Sequence, residues 1–377
     1  MMFSLILTAA ASLCQLYLCW RAGSASLFGR HLPAGLLTAG GLALWLIMAT
    51  GFLYGVNHAN PLARVLEMAA MTWLGCLFLL TSSLLAVELI TGGGWLLPDL
   101  APPLRALALL AGLILSVLAL YQGNRAPVVD SFEVTLPRLP AALDGTVVVV
   151  MSDLHVGNLT GTGWLAARIE QARRLKPGLV LLLGDTFEGH GGLLPPPLAS
   201  ETLRGLRAPL GVFGVAGNHE FYGDVAKTLQ ALEQGGVRLL RDSWVEVAPG
   251  LVLAGVEERS FSRDPAAGRG RITKALAGCP PKACVILLSH KPRHPKEAAR
   301  CRVELMLSGH THGGQLWPFN YLVGYFFPLL AGRYRVDGMP VIVSRGAGTW
   351  GPPMRLWPPG EMARIVLHAA PKGQRNP

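Results

Sequence analysis

The sequence predicts an all-α membrane part with four spanning helices over residues 1–122, a linker over 123–131, and a layered α/β domain over 132–370. Three observations carry this expectation. The first third is built from long apolar stretches without internal charge. The remainder alternates short β-branched runs with helical spacing, the pattern of a sheet flanked by helices. Five of those strand-like runs end directly in Asp, Asn or His.

Composition agrees. Of 377 residues, 51% are hydrophobic and 15% are charged, against about 25% charged in an ordinary soluble domain. A disordered chain is excluded, because disorder requires a shortage of apolar residues. The 6 cysteines are too sparse for a disulfide scaffold and lack metal-site spacing.

Charge is uneven along the chain. Met1 to Arg125 holds five basic and three acidic residues and no lysine, whereas the rest holds 28 basic and 20 acidic residues. The apolar stretches run Phe3–Trp20, Leu36–Tyr54, Met68–Val87 and Ala106–Tyr121. A spanning helix needs about 20 apolar residues. The first three approach that length, and the fourth extends past Arg105, which can snorkel. No positive region precedes the first stretch, so a cleaved signal peptide fits badly. Arginines flank the stretches almost equally on both sides, so the positive-inside rule leaves the side of the large domain undecided. Glu67 and Glu88, at the two ends of the third stretch, suit water or headgroup contact, and the role predicted for this part is anchoring.

QGNRAPVVDS, after Tyr121, reads as a linker. Strands are then expected at Phe132–Leu136, Thr146–Met151, Leu179–Leu183, Val212–Val215, Val252–Val256, Val285–Leu288, Val303–Leu307, Val341–Val343 and Ala363–Leu367. Helices are expected at Trp164–Leu175, Thr202–Leu206 and Val225–Glu233. In α/β folds chemistry gathers at the carboxyl ends of strands.

The residues at those ends are Ser152-Asp153-Leu154-His155, Gly184-Asp185, Gly217-Asn218-His219-Glu220, Ser289-His290, and Ser308-Gly309-His310-Thr311-His312-Gly313-Gly314-Gln315. A lone Asp or His after a strand is usually a turn or cap residue. Five such ends, all bearing metal-ligand types, point to a metal centre. Carboxylate, imidazole and amide oxygen without thiolate suit Mn²⁺, Fe²⁺ or Zn²⁺ rather than a structural zinc. Asp153, His155, Asp185, Asn218, His290, His310 and His312 are too many ligands for one ion. Two ions about 3.5–4 Å apart, bridged by one carboxylate, would use them all.

This ordered set, Asp-x-His, Gly-Asp, Gly-Asn-His-Glu, His and Gly-His-x-His, resembles the calcineurin-like metallophosphoesterase superfamily over roughly Asp130 to His368. The apolar N-terminal part, with Gly346-Ala347-Gly348-Thr349-Trp350-Gly351 and Arg355, resembles its bacterial membrane-associated branch. That branch includes the membrane-anchored UDP-2,3-diacylglucosamine pyrophosphatases. The resemblance implies a sandwich of two central sheets flanked by helices, in a multi-pass protein of the cell inner (plasma) membrane. It implies that Asp153, His155 and His312 hold one divalent ion, that Asn218, His290 and His310 hold a second, and that Asp185 bridges them. Mn²⁺ stands ahead of Fe²⁺ or Zn²⁺. Asn218 and His219 would contact the substrate phosphate, and His219 would protonate the leaving oxygen. Glu188 occupies a position where the family often has Asp.

The expected activity is hydrolysis of a phosphodiester or pyrophosphate, with lipid-linked substrates among the candidates, by attack of a metal-bridging hydroxide. The alternatives are a general nucleotide or small-molecule phosphodiesterase whose anchor only localises it, and a non-enzymatic membrane sensor or scaffold. The expected partners are the lipid bilayer and a phosphate-ester substrate. Nucleic acid is disfavoured, because the basic excess is modest and no aromatic-interleaved basic stripe occurs. Ser152 and Ser289 lack a G-x-S-x-G elbow and are expected to support ligands. Arg345 and Arg355 are candidate phosphate clamps. His190, His294, Arg269 and Arg271 are weaker candidates. The uncharged run from Leu316 to Leu330 is expected either in the core or at a bilayer headgroup region beside the site.

Overall fold

The computed structural model describes residues 2–26, 33–189, 198–257 and 270–371. The chain divides into two compact units, one comprising Met1–Arg125 with Gly351–Trp357, the other Ala126–Trp350 with Pro358–Pro377.

The first unit holds helices α1 (Met2–Gly23), α2 (Ala34–Leu53), α3 (Pro61–Thr91) and α4 (Ala101–Gly123). Asn60 starts α3, its side chain accepting from the Ala63 N–H with Pro61 following, and Gly92 ends it in the left-handed conformation. Among the described residues, three helices are long and apolar enough to cross a membrane: Ala34–Asn57, Pro61–Gly94 and Ala101–Gly123. The expected span over Phe3–Trp20 is corrected. It lies within α1, which is not among the three. The described side chains of α1 begin at Ile6, and from there Gln15 and Arg21 dilute its apolar character.

Several polar side chains in this unit are paired, which suits a bilayer interior. Gln15 donates to the Gly41 carbonyl at 3.2 Å and accepts from the Trp73 indole at 2.9 Å, joining α1, α2 and α3. Glu88 takes a two-pronged contact from Arg105, at 2.8 and 3.1 Å, and a third from Arg21 at 3.1 Å. Glu88 is therefore an internal tie rather than a headgroup contact, and Glu67 is buried.

The described residues of the second unit form twelve strands. β1 (Val128–Leu136), β2 (Thr146–Met151), β3 (Leu179–Leu182), β4 (Val212–Gly214), β5 (Arg238–Leu239) and β12 (Glu361–Ala369) form one sheet in the order β1-β12-β2-β3-β4-β5. β6 (Ser243–Ala248), β7 (Leu251–Val256), β8 (Cys284–Ser289), β9 (Leu305–Ser308), β10 (Gly332–Val336) and β11 (Met339–Val343) form the other in the order β10-β11-β9-β8-β7-β6. β2, β3 and β4 run parallel, as do β7, β8 and β9, so their carboxyl ends share a direction within each sheet.

The unbroken apolar runs follow from burial on both faces. Val148, Val150, Leu179, Leu181, Ile286 and Leu288 enter the core shared by the two sheets. Their neighbours Val149, Met151, Val180 and Leu182 face the helices α5 (Thr162–Arg174), α6 (Ala199–Leu203) and α7 (Val225–Gln234). Val285 and Leu287 enter a third cluster with Ile272, Ala275 and Ala298 of the short helices α8 (Arg271–Ala275) and α9 (Pro295–Arg300).

Two expectations shift. β1 starts at Val128 and pairs with β12 in parallel from Val128 to Leu136, so the last four residues of the segment read as a linker are strand. β5, β6 and β10 were not anticipated. β5 and β10 are the edges of their sheets and β6 is the far edge of the second, and their half-exposed residues lack an apolar signature.

Candidate metal centre

Each turn after a catalytic-end strand places one donor or more. Asp153 and His155 follow β2, Asp185 follows β3, Asn218 and His219 follow β4, His290 follows β8, and His310 and His312 follow β9. Asp153, His155, Asp185, His310 and His312 all have positive φ, between 47° and 72°. Side chains other than glycine rarely adopt this conformation, and its concentration at one place marks a site over-determined by its surroundings. Two glycines serve close approach rather than turning. A Cβ on Gly217 would lie 2.2 Å from Asp185 Oδ1, and one on Gly309 would lie 1.9 Å from Ser152 Oγ.

The donors converge in three groups whose ligand atoms lie within 4.8 Å of one another: Asp153, His155 and His312; His155, Asp185 and His219; and Asp185, His290 and His310. Asn218 joins the third, its Oδ1 lying 3.2 Å from His290 Nε2. All seven residues expected as ligands are thus brought together. His219 Nε2 stands 4.0 Å from Asp185 Oδ2.

Hydrogen bonds set which atoms face inward. His155 Nδ1 lies 2.8 Å from Glu188 Oε2, and His290 Nδ1 lies 2.7 Å from the Leu183 carbonyl. Those oxygens only accept, so each Nδ1 carries a proton, and in the neutral ring Nε2 presents its lone pair. His155 Nε2 then faces His312 Nε2 at 3.1 Å, and His290 Nε2 faces His310 Nδ1 at 3.2 Å. Asn218 donates its amide to Tyr222 Oη at 2.6 Å, which turns its oxygen inward. Ser152 donates to Asp153 at 2.5 Å, as expected of a supporting group.

Two acids support this arrangement. Glu188 spans two imidazoles, with Oε2 on His155 and Oε1 on His219 Nδ1 at 2.5 Å. The longer side chain here reaches both rings. Glu220, missed in the sequence as a supporting group, is fully buried and accepts backbone N–H bonds from Asp185, Thr186, Phe187 and Gly217 at 2.7–3.1 Å. It clamps the turn after β3 to the turn after β4. Its Glu three residues after Gly217 was the available signal, since such an acid can reach back to free N–H groups.

Burial and mutual contact shift the titration of these groups strongly. Burial raises the Asp153 carboxyl, with Asp185 adding to the effect. Burial also opposes ionisation of Asp185, yet His290, His219 and His155 hold it well below the usual carboxylate range. Burial would lower His155 and His290, but Glu188 and Asp185 respectively reverse this and bring both to about 9. Inward lone pairs, an amide oxygen and two deep carboxylates fit two divalent ions, with Asp185 between the groups.

Other expected residues lie elsewhere. Arg355, expected to bind substrate, belongs to the helical unit, is 1% exposed, and donates its backbone N–H to the Ala119 carbonyl. Arg345 is engaged by Asp130 at 2.5 Å and Glu361 at 2.9 Å. Arg271 pairs with Asp242 and the Glu257 carbonyl. His294 caps α9. His190 and Arg269 lie outside the described residues. Trp350, part of the expected Gly-rich segment, exchanges two hydrogen bonds with Gln315 at 2.9 and 3.0 Å, and its ring sits 6.2 Å from that of His219.

A two-sheet sandwich with these donors at its strand ends defines a metallophosphoesterase-type centre. The family model of calcineurin-like phosphoesterases matches residues 146–314. An uncharacterized metallophosphoesterase of Aquifex aeolicus is 35% identical over 256 residues, covering 66% of this chain and 93% of its own. The transmembrane protein with metallophosphoesterase domain of Bos taurus is 34% identical over 280 residues, and that of Danio rerio 33% over 276. These alignments cover 71% and 70% of this chain but only 63% and 62% of the two relatives, so the chain spans less than two thirds of their length. The chain belongs to the calcineurin-like metallophosphoesterases.

Proposed function

We propose that this protein is a membrane-anchored, metal-dependent phosphoester hydrolase with a dinuclear site, acting on a phosphodiester or pyrophosphate, with lipid-linked substrates included. The observation that carries the reading is the convergence of seven donors from five strand ends, with the inward tautomers of His155 and His290 set by outer hydrogen bonds. The apolar helices and the transmembrane relatives support anchoring.

In this reading Asp153, His155 and His312 hold one cation, and Asn218, His290 and His310 hold the other, with Asp185 shared. When bound, such ions neutralise phosphoryl oxygens and lower the pKa of water at the site. The family resemblance puts Mn²⁺ first, and these imidazole and carboxylate donors suit Fe²⁺ and Zn²⁺ as well. Glu188 accepts from His219 Nδ1–H, so in the doubly protonated ring, which burial opposes and Glu188 favours, Nε2–H is the proton delivered to the leaving oxygen as the phosphorus–oxygen bond breaks. Asn218 and His219 contact the substrate phosphate. Tyr222, whose ring lies 4.5 Å from His219, and Trp350 wall the leaving-group side.

The test is hydrolysis of bis(4-nitrophenyl) phosphate by the full chain in detergent, supplied with Mn²⁺, with Asp185→Asn as the blank. Turnover that depends on added metal and vanishes in the blank is expected. A Mn²⁺-loaded chain with two bound ions and no turnover of any diester or pyrophosphate would instead favour the sensor reading.

A further inference from the structure

The run from Gln315 to Gly332 contains no Asp, Glu, Lys, Arg or His. Expected as core or as a headgroup contact, it folds within the described residues as helix α10, Phe319–Phe326, with no buried residue. Tyr321 is 70%, Phe326 66% and Tyr325 81% exposed. Such a surface is unfavourable in water. Isolated exposed apolar residues are ordinary, but an uncharged helix of aromatic and aliphatic side chains is not.

Both ends of this helix are fastened to the metal-centre motif. Before it, Gly314 passes so close to Asn320 that a Cβ on the glycine would lie 2.2 Å from the Asn320 Cα. After it, the Phe327 ring sits edge-on to His310 at 5.1 Å, and Thr311 donates to the Leu330 carbonyl at 2.5 Å. The Arg293 guanidinium stands 5.7 Å from the Phe327 ring, placing a cation beside the apolar patch. The patch is thus continuous with the wall of the site.

We propose that α10 docks on the surface of a lipid bilayer and delivers to the metal centre a phosphoester borne by a lipid, an inference that rests on the phosphoesterase reading for its second half only. The occupant follows from chemistry. Tyr, Trp and Phe with flanking cations are the residues of membrane–water interfaces. The same chain carries helices fit to cross a bilayer. A protein partner or a second copy is the weaker match, because an eight-residue helix falls well short of the roughly 20–30 residues a side of a stable protein interface.

Two measurements on the full chain, reconstituted in phosphatidylcholine–phosphatidylglycerol nanodiscs, test this. First, p-benzoylphenylalanine is placed at position 325 and irradiated. Adducts heavier by one phospholipid are expected, whereas adducts to a second protein chain alone, or none, would overturn docking. Second, a diacylglycerol 4-nitrophenyl phosphodiester in the bilayer is compared with soluble bis(4-nitrophenyl) phosphate. Tyr321→Ser, Tyr325→Ser and Phe326→Ser combined should lower kcat/KM on the lipid substrate by about tenfold while leaving the soluble one within about twofold. Equal losses on both would remove the delivery role. If the unsubstituted chain hydrolyses neither, the phosphoesterase reading fails, and the crosslink still decides docking.

Discussion

Glu188→Gln isolates the coupling between the metal centre and the proton donor. The carboxylate accepts from His155 Nδ1 at 2.8 Å and from His219 Nδ1 at 2.5 Å, and its side chain is 18% exposed. A carboxamide of the same shape keeps one acceptor oxygen and turns an NH₂ toward the other ring. One of the two bonds must then break, or one imidazole must change tautomer. A hydrogen bond to a charged group is worth about 1.5–3 kcal/mol, so kcat/KM should fall by roughly 10–150-fold. The split identifies the ring affected. If the amide oxygen stays on His155, bound metal is retained and kcat falls through His219. If it stays on His219, occupancy of the site built on His155 falls instead. Metal content by mass spectrometry and kcat/KM on bis(4-nitrophenyl) phosphate, measured on one preparation, separate the two. A variant retaining both ions and the full rate would refute the coupling.

The remaining predictions concern the neighbouring groups. Asp185→Asn should abolish activity and reduce metal content together, because Asp185 belongs to two of the donor groups; full metal content in that variant would contradict the shared role. His219→Ala should retain both ions yet slow turnover by about 10²–10⁴-fold; a metal-depleted variant would make His219 a ligand. In chelator-treated protein, His155 and His290 have folded pKa values of about 9, raised above the ordinary 6.5. Their stabilising contribution is therefore complete below about pH 6.5 and is lost as pH rises through 9. Thermal denaturation should show Tm falling over that window without metal, and adding Mn²⁺ at pH 7.5 should release protons; a flat profile with no proton release would refute this. Glu220→Gln should lower Tm by several degrees, since an amide cannot accept all four N–H bonds of the two turns.

Much of the centre was legible because its donors follow buried strands directly. Val148–Met151 and Leu179–Leu182 are apolar without alternation, which announces strands covered on both faces, and the polar residue after each stands at a strand end. The edge strands β5 and β10 carry no such run, so they were invisible. Arg355 shows where such reading stops. Its place near a Gly-rich segment suggested a phosphate clamp, but proximity along the chain says nothing about the unit in which Gly351–Trp357 packs. The first apolar stretch is not among the helices that qualify within the described residues, where Gln15 and Arg21 lower the apolar character of α1.

By itself the sequence determined the chemical class of the centre, since ligand type and order are covalent facts. It also determined the apolar character of the N-terminal part, since hydropathy sums over consecutive residues. Only the tertiary structure decided which nitrogen of each histidine faces inward, that one Glu188 serves two rings, that Glu220 ties two turns, and that the Phe319–Phe326 helix stands exposed beside the site. Those properties depend on distances between residues far apart in the chain, and a linear pattern of residue types does not contain them.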